Sequence, residues 1–427
     1  MSSWRLSIVF AVRRLALALL VLLCWIESAS ADTIYPGQVD GARLAGGQVA
    51  YALGANVVVA TRGPSEWRET TIGFPSPLEL DGYAVRRDGS SAVLARDLDG
   101  RWLALWDGHR LVRFHRDSKH ARFGPAGLAL DRAGSPVVAY ALWYPSHRTF
   151  LRLARPRGDT VRVQAVTRGG FPSTLGYAAA APVVLDTGAV RVVETYLPAA
   201  IDWGLNGWGR FLFSSALGVP VGGIVAGAVG STLYAAWTEA FPTLGPPAVV
   251  LATHAGVVQS GVAIEDAVLA DLALTSHGPE LAANRCIPAA AFGATGNGRC
   301  VGLVKDVGVD GIVAGYAAVG DHRQLLLQTD DALEWFDAPH GLNVRVTLKA
   351  DLTGRVDGAT GGTVALYRER PGVTRVLVDT EPVAPDGSFV LHDPTASPLA
   401  EAYRAVYVDA ATGIPYAALQ PPAGSDG

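Results

Sequence analysis

Cysteine, methionine and lysine are all scarce in this sequence. Its 427 residues hold three Cys, one Met and only three Lys among 35 basic residues, leaving 32 Arg. Charged residues make up 17% and hydrophobic ones 49%, the balance of a chain that buries a large core rather than one that stays disordered. No apolar run reaches the ~20 residues that span a bilayer. The longest, Leu15–Ile26, has 12. The motifs of common chemistry are missing as well: there is no G-x-S-x-G, H-E-x-x-H, phosphate loop or calcium-binding nonapeptide. No cofactor and no metal are therefore expected.

The short apolar run has another use. Arg5, Arg13 and Arg14 precede it, and "SASAD" follows, with Ala29 and Ala31 as the small residues a signal peptidase requires. Residues 1–31 are read as a signal peptide, which implies a secreted or cell-surface protein with no membrane insertion after cleavage. Removing them takes away three Arg and one Glu and moves the net charge from −4 to −6. Nucleic acid is excluded as a partner on this balance, because it needs a basic footprint. Cys286 and Cys300 are the thiols that remain, and two cysteines in an exported chain imply a disulfide.

What the sequence has in quantity is glycine, 49 residues of it. In "GYAVRRDGSSAVLARDLDGRWLALWDGHRLVRFH" (82–115), Asp88-Gly89, Asp99-Gly100 and Asp107-Gly108 separate short runs rich in Val, Leu, Tyr and Trp. Asp-Gly favours hairpin turns, so the segment reads as a four-stranded meander. Comparable strand openings recur near Gly41, Gly82, Gly124, Gly176, Gly222, Ala267 and Gly311, spaced 41–52 residues apart. A four-stranded unit at that period is the signature of a propeller blade. The expectation is an all-β chain, with a propeller of about seven four-stranded blades over 32–340, six or eight remaining open. "GLALDRAGSPVVAY" (127–140) then supplies the first two strands of the third blade. Such strands resemble those of sialidase-like and other secreted bacterial propellers over most of 120–260. The S-x-D-x-G-x-T-W box is absent, so sialidase chemistry is not implied.

Past "APHGLN" (338–343), a linker-like stretch, the pattern changes to short alternating strands over 344–421, ahead of a flexible tail at 422–427. "GGTVALYR", "DGSF" and "YRAVY" resemble bacterial immunoglobulin-like or carboxypeptidase regulatory-like domains. The resemblance implies a small β-sandwich acting as a spacer or adhesion module.

Local candidates for chemistry have plainer explanations. His115 and His120 suit a surface loop better than zinc ligation. Asp97 and Asp99 begin like a calcium loop but belong to a hairpin. Arg157-Gly158-Asp159 falls where a blade needs a turn. One constellation is more specific. Trp143-Tyr144-Pro145, Tyr196-Leu197-Pro198 and Phe241-Pro242 each follow a second strand, and Cys286 and Cys300 bracket a fourth loop. Four long connections between second and third strands would gather Trp143, Tyr144, Tyr196, Asp202, Trp203, Trp208, Phe241, Phe292 and Arg299 on one face. Glu194 and Glu239 would lie beneath, and the glycines of "DWGLNGW" would leave the Trp203 ring accessible. Aromatic planes with a few acids suit a glycan or a peptide. The alternative is that the rings cap the core between blades. The sequence thus points to an exported, non-catalytic binding or cell-envelope surface protein. A glycosidase or lyase using Glu194 and Glu239, and a structural spacer, are the rival readings.

Overall fold

The computed structural model describes residues 31–420 apart from 65, 147, 158–159, 168–170, 173–177, 197–198, 204–208, 215–218, 242–244, 256–257, 288–298, 360, 370–374 and 395–401. Among the described residues the secondary structure is β throughout, with no helix. Seven sheets follow one another along the chain, opening at Gly41, Leu78, Gly127, Ala180, Val219, Ala267 and Ile312, and each is an up-and-down meander of four main strands. The first strand of each sheet lies beside the first strands of the sheets before and after it, and the seventh lies beside the first. That ring is a β-propeller, and its sheets are its blades.

Why these sequences form blades is visible in the second strands. "QVAYAL" (Gln48–Leu53) is buried along almost its whole length because both its faces meet another sheet. Ala50 and Ala52 pack toward blade two with Leu78, Leu80, Val93 and Ala95. Val49 and Tyr51 pack toward blade seven with Leu326, Leu333 and Trp335. Alternate residues thus serve two cores, and each interface is filled mainly by Ala, Val and Leu. Where first strands come closest, even Ala is too large. A Cβ on Gly315 would sit 2.9 Å from the Leu44 side chain of the first blade.

The Asp-Gly pairs do form turns, and their two residues play different parts. Only the glycines, such as Gly89 (φ 82°) and Gly108 (φ 98°), take positive φ. The aspartates stay in ordinary backbone regions and accept hydrogen bonds from the amides beyond them, as Asp88 does from Ser90 N at 2.9 Å and Asp107 from His109 N at 3.1 Å. Asp97 does the same for Trp102 N at 3.1 Å, and Arg157 pairs with Thr160 across its hairpin.

The seventh blade is completed from the other end of the chain. Its first three strands are Ile312–Val319, His322–Gln328 and Leu333–Ala338, and its fourth is Asp32–Tyr35. Asp32 and Thr33 pair antiparallel with Trp335 and Glu334. Around this joint Arg62 bridges to Asp32 at 2.9 Å and lies over the Trp335 ring at 4.4 Å. Two glutamines lock the chain that leaves the closing strand. Gln38 Nε2 donates to the carbonyls of Thr329 and Asp330 at 2.8 and 2.9 Å, and Gln328 Nε2 donates to Gly37 O at 3.1 Å.

After Ala338 seven more strands form a three-stranded sheet (Arg345–Leu348, Thr353–Asp357, Ser388–Val390) and a four-stranded one (Val376–Pro382, Thr363–Glu369, Ala402–Val408, Pro415–Gln420). The second continues edge to edge into blade six, where Val309 pairs with Tyr416. Asp310 sits at this seam, bonded to Arg375 Nη1 at 2.6 Å and to Arg404, which also donates to Cys300 O at 3.1 Å. One hydrophobic core runs through it, joining Val304, Val307, Tyr316 and Phe336 to Val346, Leu366, Tyr403 and Tyr416. The turn-rich stretch at 338–343 is therefore no free linker.

Two outcomes are expected. Ile34, buried in the closing strand, should cost about 2–4 kcal/mol when cut back to Ala, whereas Thr33→Ala on the exposed side should cost under ~0.5 kcal/mol; urea denaturation measures both. Proteolytic cleavage within 339–343 should leave the two pieces co-eluting on native gel filtration and separating only in denaturant.

Candidate functional site

The second strands run further than the sequence suggested, and this removes most of the expected long loops. The second strand of blade three is Pro136–Tyr144 and the third begins at Arg148. In blade four the corresponding bounds are Tyr196 and Ala199, and in blade five Phe241 and Gly245. Two or three residues connect each pair. Pro145 lies in the short turn of blade three, while Pro198 and Pro242 lie outside the described residues. Only in blade six does the connection stretch from Ile287 to Arg299. There Cys286 and Cys300 face each other across adjacent strands and form the disulfide.

The aromatic residues redistribute accordingly. Trp143 and Tyr144 end the second strand of blade three. Tyr144 donates to Asp117 Oδ2 at 3.2 Å and packs edge-on to Phe150. Tyr196 pairs with Ala199 at the tip of its hairpin. Asp202 and Trp203 lie in the third strand of blade four, opposite Val193 and Val192. Trp203 is thus at the far end of that strand, beside the connection to the fourth, and belongs to the opposite face of the disc from the one expected. Phe241 pairs with Gly245, and Arg299 with Ile287. Trp208 and Phe292 lie outside the described residues.

Glu194 and Glu239 are both fully buried, but they do not share a site. Strand alternation puts Glu194 on the side of Val192, which packs against blade three with Val137 and Leu151. Glu239 is on the side of Trp237, which packs against the other face of blade four with Ala181 and Val193. Sheet four stands between the two carboxyl groups. Glu239 accepts the indole N–H of Trp237 at 3.0 Å. A paired acid and base from these residues is excluded.

The residues that do converge are on the propeller axis. The first strands of blades one to six line a cavity of about 440 Å³ that contains Asp40, Arg43, Glu79, Asp81, Arg96 and Asp271. Asp81 accepts from Arg96 Nε at 3.1 Å and from the Ala126 amide of blade three at 3.1 Å. Arg96 also pairs with Glu79, whose side chain is half exposed. Asp271 repeats the device on the far side of the ring, accepting from Leu272 N at 2.8 Å and from Tyr316 N of blade seven at 3.0 Å. Burial raises both aspartates above the ordinary carboxylate range, against the pull of Arg96 on Asp81, and of the Tyr316 amide and Arg43 on Asp271. The sequence reading missed this cluster. Its signal was acids set among the apolar residues of first strands, two in "LELDG" and one in "LADL".

Glu280 is a buried carboxylate of the opposite kind. Set between blades six and seven, it receives Arg323 Nε at 2.7 Å and Nη2 at 2.9 Å, Lys305 Nζ at 2.7 Å and the Tyr316 hydroxyl at 2.5 Å. Burial pushes its pKa up, but these donors outweigh that and bring it down to about 2.

No protein-family model matches the sequence, and no curated protein matches it. Among solved structures the chain is similar to virginiamycin B lyase from Staphylococcus aureus, at 12% identity over 72% of this chain and 96% of that one, with a TM-score of 0.40. It is also similar to an α-L-arabinanase from Penicillium chrysogenum, at 9% identity over 73% and 98%, with a TM-score of 0.34. Both likenesses are of fold.

The Glu280 cluster sets a pH response. Because its folded-state pKa lies below the ordinary 4.5, its stabilisation is complete above that pH and is lost as pH falls from about 4.5 to about 2. Glu280→Gln should be less stable than the parent at neutral pH, and the gap should narrow through that window in melts recorded across pH.

Proposed function

We propose that this is an exported, non-catalytic binding protein that takes the end of a glycan in its axial cavity. The observation that carries the reading is the mixed wall of that cavity. Arg43 brings guanidinium donors and Asp40 and Glu79 carboxylate acceptors to a space of about 440 Å³, the size of a small-molecule site. Vicinal hydroxyls, each both donor and acceptor, match such a wall. The rigid ring holds the groups in place without a ligand, which limits the ordering cost of binding. In this reading the C-terminal sheets serve as the spacer their immunoglobulin-like sequence implies, and the disc is displayed at the cell surface.

A second reading has one observation in its favour. Asp81 and Asp271 share the cavity and are both driven toward the protonated form, as a general acid requires. Their bonds to the next blade give each a structural use as well, so the binding reading is preferred.

Calorimetric titration with a panel of neutral, amino and acidic sugars tests this. Binding should appear for at least one class, and Arg43→Ala or Glu79→Gln should weaken it by about tenfold, without new reducing ends being released. Binding that ignores both substitutions would place the site elsewhere. Turnover that Asp271→Asn abolishes would establish the enzyme instead.

A further inference from the structure

Residues 110–162 hold eleven Lys and Arg against three Asp, a net +8 in a chain whose total is −4. They form the outer part of blade two and most of blade three, where a groove of about 370 Å³ runs between the fourth strands of the two blades. Its lining includes Val112 and Phe114 from one side and Val161 and Val163 from the other. Val163 is 47% exposed, an apolar side chain left uncovered on a blade edge.

The edge itself is specific. Among the described residues the fourth strand of blade two, Leu111–Arg113, pairs on one side only, with Leu103–Trp106. Phe114 N donates to Leu103 O, and Asp107 N donates to Arg110 O. In an antiparallel ladder these bonds fix the alternation, so the N–H and C=O of Leu111 and Arg113 point outward, away from the sheet. Side chains alternate too. Val112 faces the groove with Leu105 and Phe114, while Leu111 and Arg113 face the side of blade one. Arg113 is exposed and makes no ion pair among the described residues.

We propose that this edge binds an extended peptide in which acidic and apolar residues alternate, added as a fifth strand to blade two. The outward amide and carbonyl groups of Leu111 and Arg113 pair with its backbone. Its apolar side chains drop onto Val112, Val161 and Val163, and its acidic ones lie beside Arg113 on the opposite face. The surrounding positive charge steers the peptide in. A polysaccharide or a lipid surface would use the charge but neither the main-chain edge nor the apolar floor. This surface is separate from the axial cavity and does not depend on what binds there.

The test uses the full chain and a short synthetic peptide alternating Glu with Val and Leu, labelled for fluorescence anisotropy. A peptide with Lys in place of Glu and heparin serve as comparisons. The acidic peptide should bind, the lysine peptide should not, and added salt should weaken the interaction. Arg113→Glu and Val163→Asp, both on exposed side chains, should each weaken it by about tenfold while thermal melts confirm that the ring is intact. Equal binding of the lysine peptide, or indifference to Val163→Asp, would overturn the proposal. Tight heparin binding without peptide binding would reduce the patch to a general polyanion surface and overturn it equally.

Discussion

The pairing of Asp32–Tyr35 with Leu333–Ala338 is the constraint on which the ring depends. Every other blade is a local meander, built from strands that follow one another. This one joins strands some 300 residues apart in the chain. Without it, blade seven would present Leu333 and Trp335 on a bare edge, and the ring would have two ends. The glutamine bonds, the Arg62 bridge and the close passage of Gly315 over Leu44 all gather at this closure. A second reinforcement sits next to it, where the C-terminal sheets continue blade six and share a core with blade seven.

The same closure makes the axis useful. First strands held in a ring bring residues from six blades to one space, and two of the charged groups there also tie one blade to the next. Asp81 reaches the third blade from the second, and Asp271 the seventh from the sixth. The burial that makes those bonds strong also disfavours the aspartates' charge, and the nearby Arg96 and Arg43 offset part of that cost. Structure and candidate site therefore draw on the same side chains.

Much of the fold was legible because its signals are local. Gly89, Gly108 and Gly134 mark hairpins by a backbone requirement that sequence displays directly. The 41–52-residue spacing follows from four strands and their turns. The site was less legible. Pro145, Pro198 and Pro242 read as the start of loops, yet the strands extend up to or close to them, so Trp203 was assigned to the wrong face. Glu194 and Glu239 both read as strand-end acids, but which side of a sheet each takes depends on strand parity. "DTIY" carries no turn or periodicity that could name its partner at the other end of the propeller.

That last feature has a consequence for how the molecule is made. The segment that completes the ring leaves the ribosome before any of the blades it must join. It has to remain unpaired until the third strand of blade seven has been synthesised. Closure is therefore among the most non-local events in the fold, and such events are slow because loop entropy is spent before contacts repay it. During that interval an open ring exposes a strand edge and the apolar Ile34, the combination that chaperones and aggregates compete for. A propeller fastened by its earliest strand gains a lasting closure at the cost of a vulnerable youth.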